Sequence, residues 1–189
     1  MRDPDEPLGA APGEDAFGPA DATCGPAPAL AHPAASDDDP LQAALGDAYR
    51  HLAMRDRTEA EIRACLSRRG HTPDVAGQAV AELRRQGYVD DARFARRFAE
   101  DRRALDGWGG DRIRSRLAEL GVPAELVDAA AAWAPEEELA AAVDLLRRRL
   151  TRAPSDERER QRALGLLVRR GFELDLAYDA IRRVEREAA

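Results

Sequence analysis

Ile62-Arg63-Ala64-Cys65-Leu66-Ser67-Arg68-Arg69-Gly70, Ile113-Arg114-Ser115-Arg116-Leu117-Ala118-Glu119-Leu120-Gly121 and Ala163-Leu164-Gly165-Leu166-Leu167-Val168-Arg169-Arg170-Gly171 are one segment written three times in a chain of 189 residues. The three glycines lie 51 and 50 residues apart. A leucine stands four residues before each (Leu66, Leu117, Leu167), an apolar residue five after (Val75, Leu126, Leu176) and an alanine nine after (Ala79, Ala130, Ala180). Such spacing keeps apolar groups on one helical face on either side of the glycine. Glycine at that point ends a helix with positive φ, a conformation in which a Cβ would clash, and the chain then turns into the next helix.

Outward from these segments the helical period continues. Leu41, Leu45, Ala48 and Leu52 precede the first, and Phe94, Phe98 and Leu105 precede the second. Thr58-Glu59-Ala60-Glu61 is a capping box, and Thr72-Pro73 places an N-cap before a proline at the first helical position. The spacing predicts helices over about 41–54, 59–69 and 73–86, then 91–105, 111–120 and 123–133, then 136–151, 156–170 and 174–187. No strand pattern competes. The fold class is therefore all-α: three tandem three-helix repeats (41–89, 90–134 and 135–189) behind an N-terminal extension (1–40). A unit of this size has little core of its own, so neighbours are expected to stack and share apolar faces in an elongated, curved array.

Charge divides the chain differently. Its formal charge of −7 comes from the extension, where nine acids (Asp3, Asp5, Glu6, Glu14, Asp15, Asp21, Asp37, Asp38, Asp39) face Arg2 alone. Eight of the twelve prolines lie there with few large apolar groups, a composition that reads as a disordered, solvating arm, or as an arm that mimics a polyanion and competes for a basic surface. The body that follows is nearly neutral, and every basic residue in the chain is arginine. Without lysine there is neither a Schiff-base nucleophile nor a Walker A phosphate loop. Cys24 and Cys65 make no disulfide framework, and no apolar stretch reaches the length of a membrane span or a signal segment. The reading is a cytoplasmic protein.

No catalytic constellation emerges. His51 and His71 stand on different elements without carboxylates or cysteines at ligand spacing, His32 lies in the extension, and Cys65 sits on an apolar helical face. The expectation is no enzyme activity, no metal and no cofactor. Polar information lies in arginine. The second helices, with the lead-in Arg57, hold twelve arginines against seven acids; the third helices hold five against nine. That asymmetry excludes a helix-turn-helix reader of DNA, whose last helix must present donors to the major groove, because here it offers Glu125 and Asp128. An arginine stripe on the middle helices suits phosphates or acidic protein surfaces, whereas pairs such as Glu59 with Arg63 would merely solvate a face. Trp108, in Gly107-Trp108-Gly109-Gly110, admits two roles: partner anchor, or plug between stacked units. Tyr88, Phe94, Phe98, Trp133, Phe172 and Tyr178 are assigned to the core.

The run Arg55-Asp56-Arg57-Thr58-Glu59-Ala60-Glu61-Ile62, with Leu66, Arg69-Gly70, Gly87-Tyr88-Val89-Asp90-Asp91-Ala92-Arg93-Phe94-Ala95, Arg102, Gly107, Gly109, Arg112-Ile113, Leu117 and Gly121-Val122, resembles the RecX family of recombination regulators. The likeness covers about residues 41–186 and is strongest from Arg55 to Val122. It implies an all-helical negative regulator of the RecA recombinase. Such a protein lies along the groove of the RecA filament on single-stranded DNA, inhibits ATP hydrolysis and strand exchange, and promotes filament loss. Thr58 stands where the family usually has serine, expected lysines are arginine, and the acidic extension falls outside the pattern. From charge placement, the contact set is Arg57, Arg63, Arg68, Arg69, Arg96, Arg97, Arg112, Arg114 and Arg116. The expected partners are the RecA filament and single-stranded DNA, met by a monomer. A nucleic-acid-binding protein independent of RecA, and a helical-repeat adapter for another protein, are the competing readings.

Overall fold

In a computed structural model, residues 39–188 are described; residues 1–38 of the acidic extension, with the readings made of them, lie outside these. The described residues form α1 (Pro40–Leu52), α2 (Glu59–Arg68), α3 (Pro73–Arg85), α4 (Asp91–Asp101), α5 (Gly110–Glu119), α6 (Ala124–Ala131), α7 (Pro135–Arg149), α8 (Glu157–Arg169) and α9 (Leu174–Ala188), with no strand among them. The one departure from the predicted helices is at the end of α4, which widens into a π-helical turn over Arg102–Asp106 before Gly107.

Local signals act as their chemistry requires. The Thr58 hydroxyl accepts the Glu61 amide while the Glu61 carboxylate accepts the Thr58 amide, completing the capping box. Thr72, Asp90 and Asp156 cap α3, α4 and α8. Gly70, Gly121 and Gly171 have φ of 88°, 75° and 84°.

Helices pack in triplets, α1–α3, α4–α6 and α7–α9. Leu66, Leu117 and Leu167, four residues before the glycines, are fully buried, as are Ile62, Ile113 and Ala163 four positions earlier in each segment. Burying a leucine or isoleucine side chain contributes about 1.5–3 kcal/mol. Here the structure corrects the expectation of shared apolar faces. Each triplet closes its own core, around Ile62, Leu66 and Leu83, around Phe98, Ile113 and Leu117, and around Leu146, Leu167 and Ile181.

Backbone and polar contacts join the units instead, and both joints use equivalent positions. At the first, the Thr58 hydroxyl donates to the Leu120 carbonyl (2.7 Å), the Glu59 amide donates to Asp91 Oδ1 (2.9 Å), and Gly121 faces Ala60. At the second, the Gly109 amide donates to the Arg170 carbonyl (2.8 Å), the Gly110 amide to Glu138 Oε1 (3.1 Å), and the Asp111 amide to the Gly171 carbonyl (3.1 Å). The glycine turn ending one unit's middle helix therefore abuts the first turn of the preceding unit's middle helix. Helices α8, α5 and α2 queue head to tail, carbonyl end against amide end, the favourable order for their dipoles. A Cβ on Gly171 would lie 2.4 Å from the Arg112 nitrogen and one on Gly121 2.4 Å from Ala60 Cβ, whereas Gly70, at the open end of the column, has nothing within 4 Å.

Candidate functional site

The middle-helix column sets where each predicted arginine stands. Arg57, one-tenth exposed, pairs with Glu61 at 3.2 Å, and Glu61 is also held by Arg55 at 2.5 Å. Arg63 pairs with Glu59 at 2.8 Å, the local pair its spacing suggests, and Arg69 reaches back to Asp47 on α1 at 2.9 Å. Arg112 stacks over Trp108, its guanidinium carbon 4.3 Å from the ring centroid, and donates to the Arg169 carbonyl across the second joint (3.0 Å). Arg114 and Arg116 pair with Asp111 and Glu119, both at 2.7 Å, and Arg97 bridges to Asp56 across the first joint at 3.1 Å. Of the nine, only Arg68 and Arg96 are exposed without an ion-pair or hydrogen-bond partner among the described residues.

Exposure sorts the set further. Arg63, Arg68, Arg96 and Arg97 are exposed and Arg114 is partly so, while Arg57, Arg69, Arg112 and Arg116 are held close to the body. Ion pairs between exposed groups contribute little, about 0–1 kcal/mol, so an incoming phosphate or carboxylate exchanges with them readily.

Trp108 is partly buried against the second unit's own core, edge-on to Phe98 with centroids 6.1 Å apart and flanked by Arg102 and Arg112, all residues of its own unit. Phe94, Phe98 and Phe172 are core residues, as assigned. Tyr88 and Tyr178 are not. They are 58% and 40% exposed; Tyr88 follows the Gly87 turn and leans edge-on against Tyr49, and Tyr178 lies a helical step off the buried face of α9. Trp133 lies under the Arg103 guanidinium, 4.5 Å away, while Arg103 also donates to the Ala130 and Ala132 carbonyls at the end of α6.

Cys65 and His51 are buried. Burial, then the nearby Arg57 guanidinium, holds the His51 imidazole down at about 4, outweighing Glu61. Burial raises the Asp91 carboxyl above its usual range against the opposing pull of the Glu59 amide. Folding brings His71 to Asp47 (Nε2 to Oδ2, 2.8 Å), a pairing 24 residues apart that no local spacing announces. No group of three or more histidines, cysteines or carboxylates at metal-binding geometry occurs among the described residues, and none of their helices is long and apolar enough to cross a membrane. Helix α6 does expose Glu125 and Asp128, as the charge argument required.

Three closed helical triplets joined end to end by one repeated junction, with guanidinium groups along the column, define a tandem three-helix array protein. Models of the first, second and third three-helix domains of RecX match residues 44–83, 90–130 and 136–181. The chain belongs to the RecX family of regulatory proteins. It is 36% identical to the regulatory protein RecX of Deinococcus radiodurans, over 78% of this chain and 71% of that one. It is 38% identical to that of Xanthomonas axonopodis pv. citri over 72% and 82%, and 32% identical to that of Mycolicibacterium vanbaalenii over 82% and 91%. The crystal structure of RecX from Lactobacillus salivarius shares the fold, with a TM-score of 0.69 at 17% identity over 78% of this chain and 98% of that one.

Proposed function

We propose that this chain is a negative regulator of the RecA recombinase. As a cytoplasmic monomer it lies in the groove of the RecA filament on single-stranded DNA, inhibits ATP hydrolysis and strand exchange, and promotes disassembly. The observation that carries this reading is the column of middle helices, which carries exposed arginines on a body made of three RecX-type units. Exposed cations along units joined end to end suit a filament, whose acidic groups and phosphates repeat. The contacts are drawn from the nine arginines. Arg63, Arg68, Arg96, Arg97 and Arg114 reach the partner, and Arg57, Arg69, Arg112 and Arg116 hold the surface in shape.

The test is RecA ATPase activity on single-stranded DNA titrated with the chain. Inhibition should fall at least about ten-fold in potency when the five outward arginines become alanine, with helix content unchanged. Undiminished inhibition by that variant would remove the arginine surface from the mechanism. Equal affinity for naked single-stranded DNA and for preformed filament, at one salt concentration, would replace RecA by nucleic acid as the target.

A further inference from the structure

A row of uncompensated charge lies away from the nine arginines, on α8. Arg158, Arg162 and Arg169 are exposed and have no ion-pair or hydrogen-bond partner for their side chains among the described residues. At about 100° per residue they share, with Gly165, an arc of roughly 60° opposite the buried Ala163 and Leu167. Glu157 and Glu159 fall to either side of that arc, and both are engaged, by Arg160 and by Arg152 with Ser155. The absence of a side chain at Gly165 leaves room in the row, and the Arg169 guanidinium folds to within 3.1 Å of where its Cβ would be.

Equivalent rows in the other units are interrupted. In the first unit it reads Arg57, Glu61, Ala64, Arg68, with Arg57 and Glu61 paired. In the second it reads Trp108, Arg112, Ser115, Glu119, with Arg112 stacked on Trp108 and Glu119 paired to Arg116. Only the third unit presents three open cations along about 16 Å of helix. Like charges at such spacing repel, and an anionic chain laid along them relieves the repulsion.

We infer that this ladder is the docking surface for the chain's own acidic extension, through residues 3–21. Charge complementarity selects the occupant: that stretch holds Asp3, Asp5, Glu6, Glu14, Asp15 and Asp21 and no basic residue. Chain length agrees. The tether ends at Pro40, on the first unit, and Asp21 stands 19 residues before it. An extended chain covers about 3.3 Å per residue, so Asp21 reaches about 60 Å and Asp3 about twice that. The longest helices have 15 residues, or about 22 Å, so two units are within that reach. Asp37 to Asp39, one to three residues from Pro40, cannot leave the first unit, and Asp39 already caps α1. Docked, the extension competes with any outside polyanion for the ladder. The inference concerns a surface separate from the nine arginines and does not require RecA.

Cys24, in the extension, can carry a thiol-reactive fluorophore while Cys65, fully buried, stays unlabelled. At low salt the dye's anisotropy should be higher in the unaltered chain than in two variants that match each other. One is the ladder variant Arg158→Gln, Arg162→Gln and Arg169→Gln; the other neutralises the six acids as Asp→Asn and Glu→Gln. Neutralising the acids should also raise affinity for a single-stranded oligothymidylate about five-fold, the scale of a few exposed ion pairs, and should have no such effect in the ladder variant. Far-UV circular dichroism confirms that all the chains remain folded. Equal anisotropy in the three chains, or a gain in affinity that persists without the ladder, would overturn the inference. Neither readout depends on RecA inhibition, so this failure and failure of the proposed function are told apart.

Discussion

The joints make a sharp prediction because three glycines of the same pattern differ in what surrounds them. Gly70→Ala meets open space, so its cost is that of holding alanine at φ 88°, about 1–2 kcal/mol. Gly109→Ala is the reverse case. Gly109 has an ordinary φ of −80°, but an added Cβ would lie 2.3 Å from the Gly171 carbonyl oxygen and 2.7 Å from the Phe172 nitrogen. Both obstacles are backbone, so the units must part by about 1 Å to reach ordinary contact. That movement disturbs the hydrogen bonds from Gly109 to Arg170, Gly110 to Glu138, Asp111 to Gly171 and Arg112 to Arg169. At about 0.5–1.5 kcal/mol each, the joint loses roughly 2–6 kcal/mol. Because every unit keeps its own core, the loss falls on coupling between units. Trp108 and Trp133 both flank the second unit's α5 and α6, so tryptophan fluorescence reports that unit while circular dichroism at 222 nm reports all helices. In urea, Gly70→Ala should shift both transitions together. Gly109→Ala should shift them further and separate them. Coincident transitions for Gly109→Ala, with a midpoint no lower than that of Gly70→Ala, would refute the close-packed joint.

Two further outcomes follow from buried polar groups. Thr58→Val keeps the shape of the side chain but removes both the cap on the Glu61 amide and the donor to the Leu120 carbonyl; urea denaturation should show a loss of about 2–3 kcal/mol, with Thr58→Ser retaining most of the stability. His51 is neutral in the folded chain down to about pH 4, whereas unfolded it takes up a proton near 6.5. Its protonation therefore favours unfolding, and its contribution to stability is fully present above 6.5 and is lost as pH falls from there toward 4. The urea midpoint should decline across that window less steeply in His51→Gln than in the unaltered chain, and identical slopes would exclude His51 as the cause.

Legibility in the sequence follows the range of the interaction. A helix-ending glycine, a Thr58–Glu61 box and a buried leucine every turn are decided within a few residues, and these read correctly before any coordinates. Whether Gly121 and Gly171 are also needed for close approach is decided by a neighbour about sixty residues away, and the period alone does not distinguish them from Gly70. Arginine placement divides the same way. Glu59 with Arg63 is visible as a four-residue step, but Arg69 with Asp47, Arg97 with Asp56 and Arg112 with the Arg169 carbonyl are products of packing. Charge counting over the second helices does not tell which guanidinium groups packing engages, such as Arg57 and Arg116, and which it leaves exposed, such as Arg158, Arg162 and Arg169 on α8. The exposure of Tyr178 could have been read from its 100° offset from Ala177, whereas that of Tyr88 depends on how the Gly87 turn meets α1.

The repeated junction has an evolutionary consequence. One face receives and the opposite face inserts, and both are encoded inside a single unit, so an in-frame duplication of about fifty codons carries a working connector with it. The empty space around Gly70 is an unused socket of the same make. Lengthening this protein by a fourth unit, or shortening it to two, requires no contact that it does not already possess.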